Sequence, residues 1–131
     1  MPGFKKEERL SKDKEYKKTY QGRSCQNAFF VLYFIPNHKK MSRAGFVIKK
    51  KCFKSAVLRN RLKRLLKEVY RLHKSRIKGN FDIVIVAREI NFPLNYKEVE
   101  KRVMDLFVKA GIINSTLAKA KVEKSQAPST K

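Results

Sequence analysis

An α/β fold is what this sequence predicts, and three stretches predict it. Residues 28–35 and 81–87 are short apolar runs rich in β-branched and aromatic side chains, as buried strands are. Between them, residues 55–74 place Leu58, Leu62, Leu65, Leu66, Val69, Leu72 and His73 on one stripe at 3.6 residues per turn. Residues 96–110 repeat that helical pattern with Tyr96, Val99, Val103, Leu106, Phe107 and Ala110.

From the N-terminus, Ser11 is placed to cap a helix over residues 12–21, and Gly22 falls where a helix end accepts a left-handed residue. Tyr16 and Tyr20, four apart, share a face of that helix. Two readings of the pair stay open: packed core aromatics, or flat surfaces on which unpaired bases stack. The 28–35 run is apolar on both faces, so the sheet is expected to be covered, at least partly, on both sides. Tyr33 is its one residue with a polar tip, suited to the sheet margin or to a ligand. A turn over residues 37–41 leads to a strand over 43–49, which ends in the cluster Lys49, Lys50 and Lys51.

Ser55 is placed to cap the central helix, and no Pro or Gly interrupts it before Gly79 and Asn80 close it. A strand, a long helix and another strand make a crossover unit whose strands pair in parallel. After Pro93, Asn95 caps the last helix with Glu98 reaching back as in a capping box, and Gly111 ends it. Residues 115–131 hold Ser, Ala, Lys, Gln, Pro and Thr with almost no large apolar side chain. They are expected to form a flexible basic tail behind one domain at 1–114.

Charge narrows the function. The chain has 33 Lys and Arg against 11 Asp and Glu, a formal net charge of +22. Thirteen of the cations lie within residues 49–78, where Glu68 is the only acid. On the central helix Asn60, Lys63, Arg64, Lys67, Arg71 and Lys74 oppose the leucine stripe, and Arg59 and Arg61 flank its edge. A solvated helix surface normally mixes signs, whereas a single-sign face repels itself unless a polyanion relieves it. That points to nucleic acid.

A membrane fits less well, since there is no Trp and no run of about 18 apolar residues. The first 20 residues are charged almost throughout, without a signal-peptide core, and Cys25 and Cys52 form no CxxC pair. Reduced thiols in a cytoplasmic protein are therefore expected. Nor does the chain carry a recognisable catalytic set. Its acids do not cluster as metal-assisted phosphodiester cleavage requires. His38 and His73 lack a nucleophile at a recognisable spacing, with His73 on the apolar stripe as a packed core residue. No glycine-rich phosphate loop occurs. A binding role follows.

Residues 56–68, with Arg59-Asn60-Arg61 followed by Lys63-Arg64 and Glu68, resemble the arginine-rich signature of the bacterial ribonuclease P protein subunit. The likeness extends to Arg9-Leu10, Phe30 to Tyr33, Arg43 to Gly45, Lys50-Lys51 and Ile83 to Arg88, about residues 4–113 in all. What the resemblance implies is a two-layer α/β (α+β) sandwich, αβββαβα around a four-stranded mixed sheet with a left-handed crossover. The third strand before Ser55 is taken from the family and assigned to a division of residues 46–53.

The resemblance also implies a protein that binds a catalytic RNA and assists it in removing the 5′ leader of precursor tRNA. By position, Arg59, Asn60, Arg61, Lys63, Arg64 and Lys67 would meet the catalytic RNA or the leader near the cleavage site, and Arg71 the catalytic RNA. Tyr16, Tyr20, Tyr33, Lys50 and Lys51 would line a cleft for the leader. No catalytic residue, metal site or cofactor is expected in the polypeptide, with Mg²⁺ required by the RNA. The chain departs from the family pattern after Lys51, where it has one residue more and no glycine before Ala56-Val57. The choice among Lys49, Lys50 and Lys51 is left open by that change. The alternatives are a ribosomal or other structural RNA-binding protein without a processing role, and a self-sufficient nuclease.

Overall fold

The computed structural model describes residues 9–10, 12–37, 41–51 and 53–113. The elements within them are α1 (Asp13–Tyr20), β1 (Arg23–Gln26), β2 (Phe30–Pro36), β3 (Arg43–Ile48), α2 (Ala56–His73), β4 (Phe81–Ala87) and α3 (Tyr96–Ala110). Ser11, Cys52, His38 and the 115–131 tail lie outside the described residues. The strands form one sheet in the order β1-β2-β4-β3. β2 pairs antiparallel with β1 and β4, and β3 pairs parallel with β4, as the crossover unit predicts.

The third strand before α2 is β1, and not a division of residues 46–53. It was hidden because Arg23–Gln26 has no apolar alternation, only Cys25 being even half-buried. Its neighbour makes it a strand. Asn27 Oδ1 accepts from the Phe29 and Phe30 N–H groups at 2.9 Å, folding the chain back so that β1 pairs with β2.

Register divides the sheet into two faces. Phe30, Leu32 and Phe34 of β2 share one face with Ala44 and Phe46 of β3 and with Ile83, Ile85 and Ala87 of β4. All are buried, under α2 and α3. Each large side chain buried in this way contributes roughly 1.5–3 kcal/mol. Ser55 Oγ caps α2 by accepting from the Leu58 N–H at 3.2 Å. The buried arc of α2 is Leu62, Leu66, Val69, Tyr70 and His73. It is rotated from the predicted stripe toward Tyr70, whose ring meets Phe46 with centroids 6.4 Å apart. Leu58 and Leu72, on the trailing edge of the stripe, are left 43% and 44% exposed. The helix stops at His73 and passes into a 3-10 turn at Lys74–Arg76, short of the predicted end.

On α3 the predicted stripe is the buried one: Val99, Val103, Leu106 and Phe107. Asn95 Oδ1 accepts from the Glu98 N–H at 2.9 Å. The Glu98 carboxylate does not complete the expected box; it turns to Arg102 at 2.6 Å, one helical turn on. That guanidinium is also stacked against Phe92 and Phe29, at 4.0 and 4.7 Å from their ring centroids, which holds the pair away from the cap.

The other face carries α1, which is tied down by directed polar contacts. Arg43 of β3 forks onto Asp82 of β4 at 3.0 and 2.7 Å and reaches Glu15 of α1 at 2.8 Å. The Tyr16 hydroxyl donates to the Leu10 carbonyl at 3.2 Å, across the place where a side chain on Gly45 would stand. Gly22 is not left-handed. It is glycine because α1 hands the chain to β1 against β2: a Cβ there would lie 2.5 Å from the Phe34 carbonyl oxygen.

Candidate nucleic-acid interface

An α1 of eight residues is about 12 Å long, roughly half the length of the strands it lies on. It seals the end of the sheet around Gly45, Val84 and Asp82. Among the described residues the other end carries a groove of about 560 Å³, floored by Val31, Tyr33 and Val86, with Ala87 at the strand end, and rimmed by Lys49, Lys51, Arg88 and Glu89. Apolar floor and cationic rim are the combination that a nucleic acid strand needs, bases on the first and phosphates on the second.

The three candidate tyrosines take different places. Tyr33 stands in the groove. Tyr20 leans edge-on against it, centroids 4.9 Å apart, with 40% of its surface exposed. Tyr16 is half-buried against Gly45 and belongs to the anchor of α1. Burial first, and the neighbouring Tyr20 and Glu15 next, push the Tyr16 phenol above its ordinary value; burial and then Tyr33 do the same to Tyr20. Among the three lysines left open, Lys49 and Lys51 line the groove, while Lys50 is exposed beside it.

The cations of α2 fall into two sets. Lys63, Arg64 and Lys67 meet no carboxylate within ion-pair distance among the described residues. Partial burial, then the charges of Arg9 and Lys63, pulls the Lys67 ammonium below its ordinary value. Lys63, Arg64 and Lys67 thus gather like charge on one side of α2. Asn60 is exposed on the same side. The other set is engaged within the fold. Arg59 donates to the Phe53 and Lys54 carbonyls at 2.7 and 3.0 Å, and Arg61 donates to the Leu94 carbonyl at 3.1 Å. Arg71 forks onto Glu68 at 3.1 and 2.6 Å.

His73 is 8% exposed, with Nε2 2.6 Å from Glu100 Oε2, which also accepts from the Tyr96 hydroxyl at 3.1 Å. The cluster joins α2 to α3 and lies beside the Arg71–Glu68 pair. Among the described residues no three His, Cys, Asp or Glu side chains are grouped to hold a metal ion. No described helix is long and apolar enough to cross a membrane.

Arg88 was not singled out for the groove by sequence reading, and Lys49 only as an alternative to Lys50 and Lys51, yet a signal existed. Ile48 and Ala87 are register partners on the parallel strands β3 and β4, and each is followed at once by a cation. Two parallel strands that both end in a positive charge place the charges side by side at their carboxyl ends, where open α/β sheets hold ligands.

Comparison with known proteins agrees with this geometry. The family model described as Ribonuclease P matches residues 4–111. The chain is 39% identical over 110 residues to the ribonuclease P protein component of Alkaliphilus oremlandii, covering 83% of this chain and 96% of the relative. It is 42% identical over 114 residues to that of Clostridium novyi, covering 85% and 100%. Among solved structures, the Staphylococcus aureus ribonuclease P protein superposes with a TM-score of 0.74 at 29% identity, over 82% of this chain and 98% of that one. The Thermotoga maritima protein gives 0.67 at 31% identity, over 78% and 96%. The reading as a structural RNA-binding protein without a processing role gives way to these matches. Sequence, fold and the pairing of a cationic helix with a half-open sheet agree: the chain belongs to the ribonuclease P protein family, the protein subunits of an RNA-catalysed endoribonuclease.

Proposed function

We propose that the two basic surfaces divide the work of the holoenzyme, the α2 face holding the catalytic RNA and the sheet groove holding the 5′ leader of precursor tRNA. The observation that carries this reading is the groove itself, an apolar strand surface left uncovered beside α1 and rimmed by Lys49, Lys51 and Arg88. Tyr33, with Tyr20 at its edge, supplies flat surface for stacking, which tolerates varied leader sequences because every base has a π-face. The lysines supply affinity through phosphates. Tyr16 acts through α1, whose position sets the groove wall.

Asn60, Lys63, Arg64 and Lys67 form the face offered to the catalytic RNA, with Arg71 at its end beside Glu68. The polypeptide contributes binding and orientation, and the Mg²⁺ ions that drive hydrolysis belong to the RNA. Holding the leader raises the affinity for precursor over mature tRNA, which lacks it. The place of work is the cytoplasm, in keeping with reduced cysteines.

The test is cleavage of a precursor tRNA at low Mg²⁺ by a bacterial ribonuclease P RNA, with and without the protein. The protein is expected to restore correct 5′ cleavage and to be inert alone. Cleavage by the polypeptide without RNA would overturn the division of labour, and equal affinity for precursor and mature tRNA would remove the leader groove.

A further inference from the structure

Between β3 and α2, the described residues Lys49, Lys50, Lys51, Phe53, Lys54 and Ser55 bring Lys49 and Lys51 to the groove, yet they belong to no strand or helix. Lys49, Lys50, Lys51 and Lys54 give this segment four like charges, which repel one another. Something must hold it. The Phe53 N–H donates to the Lys49 carbonyl at 3.1 Å, closing a turn around the lysines, and the Phe53 side chain packs on the core. The far side of that turn is gripped from α2: one terminal nitrogen of Arg59 donates to the Phe53 carbonyl at 2.7 Å and to the Lys54 carbonyl at 3.0 Å. A guanidinium nitrogen carries two hydrogens in a fixed plane, one for each carbonyl. Arg59 is itself held in place by the first turn of α2, its N–H donating to the Ser55 carbonyl at 2.9 Å.

We infer that Arg59 is a positioning residue for the groove, acting on the leader through the loop that carries Lys49 and Lys51, and that its first task is not a phosphate of the catalytic RNA. The inference rests on the leader-groove reading above. It makes the arginine-asparagine-arginine motif two-sided. Asn60 faces outward, while Arg59 and Arg61 turn back onto the carbonyls of the loops before α2 and before α3.

The test compares Arg59→Lys, Arg59→Ala, Lys51→Ala and the double variant Arg59→Lys/Lys51→Ala, each assembled with a bacterial ribonuclease P RNA. The substrates are a precursor tRNA with a full leader and one whose leader is cut back to a single nucleotide. Arg59→Lys keeps the charge and loses the planar fork, so it stays informative even where Arg59→Ala folds poorly. It is expected to raise KM for the full leader about tenfold, with no such rise for the short one. Affinity for the catalytic RNA and its salt dependence should stay as in the parent protein, since the charge is kept. The double variant should cost less than the sum of the two single effects, because both changes act through one loop.

Two results would overturn the inference while leaving the groove standing. One is a lysine variant that behaves as the parent while Arg59→Ala weakens binding of the catalytic RNA with a shallower salt slope. The other is full additivity of the Arg59→Lys and Lys51→Ala effects. If Lys51→Ala by itself leaves the full-leader KM unchanged, the groove reading fails and this inference fails with it.

Discussion

On one face of the sheet Phe30, Leu32, Phe34, Phe46, Ile83 and Ile85 lie beneath α2 and α3 with no more than 7% of any side chain exposed. On the other, Gly45, Val84 and Asp82 are sealed by α1 while Val31, Tyr33, Val47 and Val86 stay half-exposed. The two faces carry alternate side chains of the same strands, Phe, Leu and Ile on the closed one against Val, Tyr, Gly and Asp on the other. The helices over them differ as well: 18 and 15 residues on the closed face against eight on the other. The means of attachment differ accordingly. The long helices are held by apolar burial, which gains with every square ångström covered. α1 is held by Arg43 between Glu15 and Asp82 and by Tyr16 on the Leu10 carbonyl, directed contacts that fix a short helix without covering the sheet. A half-open apolar surface can persist in water because it is small and rimmed with charge.

If the closed face is the stability element, Phe30→Ala should cost the most, about 3–5 kcal/mol in urea unfolding, since the ring is fully buried. Gly45→Ala tests the joint between the two faces. Its Cβ would stand 2.3 Å from the Tyr16 oxygen, so the ring that anchors α1 must move off the Leu10 carbonyl. A loss of about 1–3 kcal/mol in stability is expected, together with weaker leader binding. Unchanged leader affinity in a folded Gly45→Ala protein would separate α1 from the groove.

Tyr33→Ala should reverse the pattern seen for Phe30: about 1–3 kcal/mol lost from leader binding, with a smaller effect on unfolding. Equal harm to full-leader and leaderless substrates would contradict it. Arg64→Glu with Lys67→Glu leaves both sheet faces untouched. It should weaken assembly with the catalytic RNA and flatten the log–log salt slope by roughly 0.7–0.9 for each phosphate that is no longer neutralised.

The smallest effect expected is one of pH, behind the closed face. Burial first and the hydrogen bond to Glu100 next push the Tyr96 phenol up to about 12 from 10.0. A proton held more tightly in the folded state stabilises it below the unfolded value and ceases to do so as pH rises through the folded one. Stability should therefore fall between pH 10 and about 12. Tyr96→Phe should shrink that fall in pH-dependent melting.

Much of the closed face was legible in the sequence because burial writes a period. The stripe on α3, the Ser55 cap and the parallel pairing of β3 with β4 follow from apolar spacing and connection length. β1 was not legible, since a strand with polar side chains owes its existence to a partner. The rotation of α2 toward Tyr70 also escaped, as a tyrosine beside arginines reads as surface until Phe46 is placed opposite. For the site, the cationic helix and the tyrosines could be named, but their roles could not. Arg59 and Arg61 count as two charges in sequence, and only the loop carbonyls in front of them turn them inward.

What residue order alone settles is therefore local: a basic surface of one sign on a single helix, a core sufficient for one domain, and no clustered acids. These properties depend only on which residue follows which. The folded chain had to add that α1 ends before the sheet does, that Lys49 and Arg88 follow register partners at adjacent strand ends, and that Tyr16 anchors α1 while Tyr33 stands in the groove. Each depends on contacts between residues far apart in the chain, whose geometry is fixed only when the register and the helix docking are fixed.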